Sequence, residues 1–591
     1  MKKVLFSLTL IMVLLTLAVA CTSPAPTAVP QPTVPPVPTS TQAATPLAAT
    51  VGPTPTKAAV STSAPTPTPA PAATAVPGGS TPHKPEGALN VALSSVALET
   101  WLPWKGSGSE TYMDFVMQTL LRRKFSTRQI EGNLAEKWEV SKDAKSWTFY
   151  LRKGIQWQDG YGEFTAEDVK YSAQRYAGKD SVASRAAMFR DVESFDIPNP
   201  YQITFRFKSP QASMIYGLTD ALPYFMIVSK KYFETVGDDK AALRPVGTGP
   251  WRLVEHKLGD HMTFEAVDNH WRQTPYFKTL TVKIVPEAST RIAQIKTGEA
   301  DIVDLSLALK KEAVKSGIEV RQFAGSSSAT IKLPGQTATT WPNYDPTVPW
   351  VDAQNPDRAL KVRKAMNLAI NRQAIVDTIL GGEGTPLANN LVVPGTPWSD
   401  PAWKPYPYDL DQAKALMKEA GYPDGFKITM WLFTLPGKQE MIDYAQAVGN
   451  YWEQIGIKVS YEVAEYGVKK GVMAQRGFKG GITFPMSHTI WDEPADNWIV
   501  TYNPKAPLSY GFEDPRIDQG LAELAAETDL AKRAELNRKM GDIIYKEYRE
   551  VPIALTNALV GVGSKIGVFP QIPGVAFPHY YEFITHKGQQ P

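Results

Sequence analysis

The sequence predicts a mixed α/β fold with more than one lobe. The chain has 591 residues, which exceeds the roughly 250–300 residues at which a single hydrophobic core stops growing. Segments that alternate as strands are interleaved with segments of helical periodicity, without a strict βαβ rhythm or an internal repeat. The composition, 43% hydrophobic and 20% charged, is typical of a globular protein.

The strands are predicted from alternation of apolar and polar residues. They are "ALNVALSS" (88–95), "KSWTFYLRKGIQWQDG" (145–160), "PYQITFRFKS" (200–209) and the pair "HMTFEAVDN" and "TLTVKIVPE". The second of these ends in a predicted turn at Asp159-Gly160, because this dipeptide favours a tight turn.

The helices are predicted from apolar residues at three- and four-residue spacing. They cover 164–177, 288–300, 355–382, 408–422 and two segments within 514–550 that meet near Thr528-Asp529. The first has Thr165 as N-cap and Asp168 completing a capping box. The helix over 355–382 carries Arg363 and Arg372 opposite its apolar face, which predicts surface or interlobe ion pairs for them rather than a ligand clamp.

The first twenty residues predict export. Lys2 and Lys3 precede an apolar run that ends at Ala20, which is the layout of a secretory signal peptide over 1–20. An uncleaved N-terminal anchor helix is the alternative. No later stretch has the ~18 uninterrupted apolar residues of a transmembrane helix.

Cys21 is the only cysteine, which excludes an intramolecular disulfide, a Cys-rich zinc site and a CxxC redox centre. "LAVAC" (17–21) resembles the lipobox of bacterial lipoproteins, although Ala18 stands where leucine is commoner. We therefore expect Cys21 to be lipidated. Residues 21–86 are rich in Pro, Thr and Ala with almost no charge, which predicts a disordered tether.

Several functional classes are not expected. A net charge of +3 with interleaved acids gives no basic footprint for nucleic acid. There is no HExxH, GxSxG, GxxxxGK or EF-hand pattern, so no catalytic residue, metal site or cofactor is predicted. His256, His261 and His270 have spacings that do not favour metal binding, and we expect them at solvated strand ends.

Six stretches carry a family resemblance when taken together and in order. They are "GNLAEKWEVSKDAKSWTFYLRKGIQWQDG…FTAEDVKYS" (132–172), "PVGTGPWRL" (245–253), "IKTGEADIVD" (295–304), "KVRKAMNLAINRQAIV" (361–376), "AKALMKEAGYPDG" (413–425) and "YWEQIGIKV" (451–459). The chain resembles the peptide/nickel/oligosaccharide class of ABC-transporter solute-binding proteins, bacterial extracellular family 5. The resemblance covers about 88–591. In "GTGP", Gly247 and Gly249 predict a positive φ or a close backbone approach.

The resemblance implies an α/β, two-lobed, periplasmic-binding-protein-like (Venus-flytrap) fold with an extra inserted subdomain. Lobe I is expected to combine 88–122, 244–325 and 561–591. The inserted subdomain covers 123–243, and lobe II covers 326–560. Two connecting strands join the lobes, and the ligand lies in the cleft between them.

Candidate ligand-binding residues also follow from the resemblance. Peptide-binding members place an acid shortly before an "-(D/E)P-" element, and alignment on Glu493-Pro494 puts Ile490 at that position. A shifted Asp492 could replace the acid, and Glu493 beside it is a further candidate ligand contact. Trp491 offers a flat face for a sugar or an apolar side chain, with an ordinary core tryptophan as the alternative. Trp101, Trp104 and Glu110 are further candidates, because their segment follows the first strand into the cleft.

The function implied is that of an extracytoplasmic, lipid-anchored, monomeric receptor of an ABC importer. It would capture a peptide or oligosaccharide-type solute and deliver it to a permease and ATPase at the membrane. The alternative is a surface lipoprotein that works as a sensor or enzyme on the same fold.

Overall fold

The computed structural model describes residues 83–589 with short gaps, all within the compact unit Pro71–Pro591. The gaps are at 97, 106–109, 125–128, 184–185, 220–224, 391, 434, 436–437, 439, 490–492, 505–510 and 571–579. The predicted signal peptide, Cys21 and nearly all of the tether therefore lie outside the described residues.

Strands and helices are interleaved along the described chain without a strict alternation, as the sequence predicts. The strands are β1 (Ala88–Leu93), β2 (Leu121–Arg123), β3 (Ile130–Gly132), β4 (Ala135–Val140), β5 (Ser146–Leu151), β6 (Val192–Asn199), β7 (Gln202–Phe207), β8 (Trp251–Lys257), β9 (His261–Ala266), β10 (Thr279–Ile284), β11 (Ile302–Leu305), β12 (Glu319–Lys332), β13 (Gly335–Gln336), β14 (Gly384–Pro386), β15 (Lys427–Leu432), β16 (Lys458–Val463), β17 (Ile482–Thr489), β18 (Phe512–Glu513) and β19 (Val551–Val562).

The helices are mostly short. They are α1 (Glu110–Met113), α2 (Ala166–Ala177), α3 (Ala186–Arg190), α4 (Met214–Gly217), α5 (Lys230–Val236), α6 (Asp238–Ala241), α7 (Ala288–Thr297), α8 (Lys310–Lys315), α9 (Pro356–Leu368), α10 (Arg372–Thr378), α11 (Leu410–Glu419), α12 (Glu440–Glu453), α13 (Tyr466–Ala474), α14 (Ala495–Tyr502), α15 (Pro515–Ala526) and α16 (Leu530–Lys546).

One mixed sheet runs through both lobes. Its strand order is β16-β15-β17-β12-β19-β11-β1-β10-β9-β8, with β14 paired to β19. The strands β12 and β19 are antiparallel neighbours at its centre, and they carry the chain from one lobe to the other. We call them the linking strands. The two-lobed α/β fold is confirmed, while the residue boundaries of the lobes stay a prediction.

The register of the linking strands breaks between Phe323 and Ser327. On one side of the break β19 also pairs with β11 of lobe I, and on the other side β12 pairs with β17 of lobe II. Gly325 lies inside the break at φ 60°, and its N–H donates to the Asn557 side-chain oxygen over 3.1 Å. We call this break the hinge, because strand pairing passes there from lobe I to lobe II.

The inserted subdomain has its own sheet, in the order β4-β5-β7-β6. Helix α2 packs beside it and begins as predicted, since the Asp168 carboxylate accepts from the Thr165 backbone N–H over 2.9 Å. The same carboxylate accepts from the Lys230 N–H over 2.9 Å, which ties α2 to the start of α5. Burial raises the pKa of Asp168, and these hydrogen bonds oppose that rise.

The prediction of a single helix over 355–382 is wrong. The structure has α9 and α10 with a break after Leu368, and Asn371 caps α10 by accepting from the Ala374 N–H over 3.0 Å. Asparagine side chains at such a position offer the backbone an alternative to helix continuation. Periodicity alone did not reveal the break because the apolar spacing continues across it.

Gly247 and Gly249 are required for a close backbone approach and do not have positive φ. A Cβ on Gly247 would lie 1.7 Å from the Val116 carbonyl oxygen, and one on Gly249 would lie 2.4 Å from that of Phe115. The Gly249 N–H donates to the Val116 carbonyl over 2.8 Å. This segment therefore fixes where the inserted subdomain rejoins lobe I.

Over the described part of the chain, every helix is too short or too polar to cross a membrane.

Candidate functional site

The carboxyl ends of strands from both lobes meet at the hinge. In lobe I, β1 is parallel to β10 and β11, and Leu305 at the end of β11 lies opposite Leu559 of β19. In lobe II, β15 is parallel to β17, and Thr489 at the end of β17 lies opposite Ser327 of β12. Ligands of open α/β sheets bind beyond the carboxyl ends of strands. We call the space between these two edges the interlobe cleft.

The lobe I edge is held rigid where β1 ends. The Ser94 N–H donates to Asp304 Oδ1 over 2.9 Å, and its hydroxyl donates to Oδ2 over 2.5 Å. Arg291 Nε lies 2.8 Å from Asp304 Oδ1, and all three side chains are buried. Burial raises the pKa of Asp304, although the Arg291 charge opposes this. The segment that leaves β1 for the cleft therefore starts from a fixed point.

Lys438 and Glu440 lie between β15 and the first turn of α12 in lobe II, with half-buried side chains. Burial lowers the pKa of Lys438 and raises that of Glu440, while the opposite charge of each partner counteracts the shift. Neither residue was predicted from the sequence. Their only signal is their position after a strand, because a lysine and a glutamate two residues apart are common on any surface.

Three consecutive serines line the hinge. The hydroxyls of Ser326, Ser327 and Ser328 are fully buried, and none has a hydrogen-bond partner within the described residues. Buried hydroxyls without a partner are costly, so such groups generally bind water or a ligand. The β-strand alternation places Ser327 on the opposite face from the other two.

Trp101 and Trp104 are packed inside lobe I and the inserted subdomain. Trp101 Nε1 donates to His256 Nδ1 over 3.2 Å, and the ring packs edge-on against Tyr112. The Arg175 guanidinium lies 4.1 Å from the centre of the Trp104 ring. Both indoles are completely buried by these protein contacts. Ligand contact by the two tryptophans stays a prediction, and the packing does not support it.

The other candidates from the same reasoning are described only in part. Glu110 begins α1, but its side chain is outside the description. Trp491 and Asp492 lie outside the described residues, as does Ile490. Their assignment to the ligand site stays a prediction.

Glu493 is engaged by protein groups on both carboxylate oxygens. Arg533 Nε lies 3.1 Å from Oε1 and its Nη2 2.5 Å from Oε2, while Asn537 Nδ2 donates to Oε1 over 2.9 Å. The Ser213 hydroxyl lies 3.5 Å from Oε2. Ligand contact by Glu493 stays a prediction, but its charge is already compensated by a buried arginine.

The prediction for Arg363 and Arg372 is wrong, because both are buried and hydrogen-bonded to backbone carbonyls. Arg363 donates to the carbonyls of Glu547 and Trp350, each over 2.7 Å, and Arg372 donates to that of Pro552 over 2.6 Å. Burial lowers the pKa of Arg363 to about 9 and that of Arg372 to about 10. These arginines hold helices α9 and α10 against β19 and the segment before it.

Two of the three histidines are held by protein groups and not solvated, contrary to expectation: the His256 side chain is buried, and His270 is half-buried. His256 Nε2 lies 2.9 Å from Glu99 Oε2, with only 5% of its side chain exposed. His270 Nε2 donates to the Thr248 carbonyl over 2.8 Å. No cluster of three or more His, Cys, Asp or Glu side chains that could hold a metal ion occurs in the described part of the chain.

Comparison with known proteins agrees with this geometry. The chain matches the bacterial extracellular solute-binding proteins, family 5 middle, over residues 129–504. It is 26% identical over 461 residues to the glutathione-binding protein GsiB of Salmonella typhimurium, covering 76% of this chain and 85% of that protein. It is 27% identical over 497 residues to heme-binding protein A of Haemophilus influenzae, covering 78% and 85%.

The fold also matches solved structures. The periplasmic binding protein DppA of Helicobacter pylori, in complex with the peptide STSA, superposes with a TM-score of 0.72 at 25% identity and covers 85% of this chain and 98% of that one. The Agrobacterium binding protein AgaA, in complex with agropinic acid, gives 0.71 at 21% identity over 85% and 99%. The family match spans more than half of the chain. This chain therefore belongs to the bacterial extracellular solute-binding proteins of family 5.

Proposed function

We propose that this chain is the extracytoplasmic receptor of an ABC importer, which captures a short peptide or an oligosaccharide-type solute in the interlobe cleft. Solute that contacts both lobes favours the closed state over the open state, and the permease and ATPase then receive it from the closed form. The relatives and solved structures named above are solute-binding proteins, which supports a role in binding without catalysis.

The observation that carries a peptide as first candidate is the pair Lys438 and Glu440. Both charged groups are half-buried in the segment that follows β15, and burial acts against the charge of each. A zwitterionic peptide supplies a carboxylate for the ammonium and an ammonium for the carboxylate. Uncharged oligosaccharides would leave both groups without an opposite charge from the ligand.

We further propose that Cys21 carries the lipid anchor and that residues 21–86 are a tether for the folded body. One acyl chain gives only marginal membrane binding, so stable anchoring requires more than one. Lobe boundaries at 122/123, 243/244, 325/326 and 560/561 are part of the proposal. So is a monomeric receptor, since a single cleft between two lobes forms a complete binding site.

A thermal-shift screen tests the function. Peptides of two to five residues, neutral oligosaccharides, opines and heme are added separately to the purified chain. A specific solute at 100 times its Kd adds about 2.7 kcal/mol to the stability of the folded state. We expect stabilisation by one peptide class. Stabilisation by sugars alone would replace the peptide with an oligosaccharide, and turnover of a substrate without stabilisation by any solute would contradict the receptor function.

A further inference from the structure

The inserted subdomain contacts lobe II through residues outside the linking strands. The Ala212 N–H donates to the Ala525 carbonyl over 2.9 Å, which joins the loop after β7 to the end of α15. Beside it, Arg533 Nη2 donates to the Ser213 hydroxyl over 2.7 Å. We call Ser213, Glu493 and Arg533 the interlobe clasp.

Lobe II holds the arginine of the clasp in one orientation. Arg533 and Glu493 are exposed to 2% and 0%, and the guanidinium forms a two-point ion pair with the carboxylate. Arg533 Nη1 donates to the Leu524 carbonyl over 2.9 Å and to that of Glu527 over 2.5 Å. Because these bonds all lie within lobe II, the guanidinium stays in place when the lobes separate. Its Nη2 is then presented to whatever faces lobe II.

The clasp must break when the cleft opens. The sheet of the inserted subdomain shares no strand with the large sheet in the described chain. The chain path from Ser213 to Arg533 runs through β12, so the two residues belong to bodies that rotate about the linking strands. Hinge rotation moves distant points most, and a hydrogen bond of 2.7 Å does not survive a displacement of a few ångströms.

A second interlobe contact lies close to the hinge and differs in kind. Lys310 Nζ of lobe I lies 2.6 Å from Glu383 Oε1 of lobe II, and Asn557 Nδ2 of the linking strand donates to Glu383 Oε2 over 3.3 Å. Because Asn557 also accepts from Gly325 in the register break, this contact surrounds the hinge itself. We therefore expect it to move less on rotation than the clasp, whose residues lie outside the linking strands.

We propose that the interlobe clasp keeps a population of the chain closed in the absence of solute. The hydrogen bond from Arg533 to the Ser213 hydroxyl is the contact that holds the two bodies together. This inference rests on the proposed function in one respect. In a solute receptor, the clasp would lower the free energy that solute binding must supply to close the cleft. Ser213 and Arg533 act as positioning residues. The clasp needs no contact with the solute.

The test measures the distance between the two bodies without any solute. Cys21→Ser removes the native thiol from the full chain, and Glu193→Cys and Lys539→Cys, both exposed, receive spin labels. Pulsed electron–electron double resonance then gives the distribution of distances between the two spin labels. We expect a short-distance population in the parent chain and its reduction by about fivefold in Ser213→Ala, since one hydrogen bond to a charged group is lost.

Two further variants separate the clasp from effects on folding. Ser209→Ala is the matched control, because Ser209 donates to Asp191 within the same subdomain over 2.6 Å and has no bond to the described residues of lobe II. It should leave the distribution unchanged. Arg533→Lys retains the buried positive charge next to Glu493 but loses the planar guanidinium that donates to Glu493 and Ser213 at once. We expect it to reduce the short-distance population as Ser213→Ala does.

The outcomes are distinct from those of the solute screen. A parent chain without a short-distance population overturns the clasp, and so does a Ser213→Ala distribution equal to that of the parent. Equal opening by Ser209→Ala would also overturn it, because the effect would then be a general one of the subdomain. None of these results depends on whether a peptide, a sugar or no solute binds.

Discussion

Lys332 and Glu550 form an ion pair inside lobe II that joins the two linking strands. Lys332 Nζ lies 2.5 Å from Glu550 Oε1, and the side chains are exposed to 0% and 3%. Lys332 is the last residue of β12, and Glu550 directly precedes β19, where Ile331 pairs with Val551. Burial lowers the pKa of Lys332, and the Glu550 charge opposes that shift. The pair therefore ends the linking strands on the lobe II side.

Removing one partner of this pair should destabilise the protein strongly. Lys332→Met leaves a buried carboxylate without its cation, and we expect a loss of about 3–5 kcal/mol in the free energy of unfolding. The double variant Lys332→Met/Glu550→Leu should lose much less, because no buried charge remains. Urea unfolding followed by circular dichroism measures both. Equal losses in the single and double variants would show that packing, not charge, determines the effect.

His270 should make stability depend on pH. Burial, with a smaller contribution from the Arg272 charge, lowers its pKa to about 3. The unfolded chain binds a proton near pH 6.5 that the folded chain does not, so stability falls as the pH drops from 6.5 towards 3. Between pH 6.5 and 5 the loss is about 2 kcal/mol. Urea unfolding at both pH values should show a loss smaller by that amount in His270→Gln, and an unchanged loss would refute the assignment.

Gly247→Ala should disrupt the junction of the inserted subdomain with lobe I. Its Cβ would be placed 1.7 Å from the Val116 carbonyl oxygen, and backbone cannot move away as a side chain can. We expect a loss of more than about 3 kcal/mol or failure to fold. Gly471→Ala is the control, since its Cβ meets nothing within 4 Å inside α13. That substitution should be neutral or stabilise by up to about 1 kcal/mol.

Lys438→Met should weaken binding of a peptide that the solute screen identifies. The lost interaction is between the ammonium and the peptide carboxylate, and we expect at least a tenfold rise in Kd by calorimetry, on the order of 1.4 kcal/mol. Burial lowers the pKa of Lys438, so its ammonium loses its proton at a lower pH than that of a free lysine. As the pH is raised, wild-type affinity should therefore begin to fall at a correspondingly lower pH. Lys458→Met, on the exposed edge strand β16, is the control. Equal effects of both variants would remove Lys438 from the site.

Cys21→Ser should release the protein from the membrane without changing its affinity for solute. Lipidation requires the thiol, and the folded body that binds solute begins more than sixty residues later. Membrane and soluble fractions, separated by centrifugation and probed with an antibody, give the distribution. Retention of the serine variant in the membrane fraction would show that the apolar segment before it is the anchor.

The sequence was sufficient for the fold but not for the contacts of its charged residues. Alternation and capping patterns predicted strands such as β9 and β10 and the start of α2 at Thr165, because these depend on neighbours in sequence. Arg363 and Arg372 looked like surface residues, since nothing in a helical pattern shows that carbonyls from elsewhere cover a polar face. The broken helix near Asn371 was missed for the related reason that local capping competes with periodicity.

The ligand site could be predicted only as a region. The proposed cleft lies between two lobes, and its strand ends are brought together by pairings such as Leu305 with Leu559. Glu493 belongs to a stretch that the family resemblance singles out, but its partner Arg533 is forty positions away on another helix. Lys438 and Glu440 carry no motif at all. Contacts between residues so far apart in sequence leave no pattern within a short stretch of the chain, so they could not be predicted from motifs or periodicity.

The position of β19 in the large sheet also constrains how the chain folds. This strand lies between β11 and β12, and its residue Val562 pairs with both Ile302 and Glu319. Neither pairing can form before Val562 is available. Contacts so distant in sequence are slow to form, because a long loop must close first. Lobe I therefore cannot complete its sheet until the far side of lobe II has emerged. If the chain crosses a membrane from its N-terminus, the sheet of lobe I stays incomplete until the C-terminal part has also crossed. This property is compatible with export in an unfolded state.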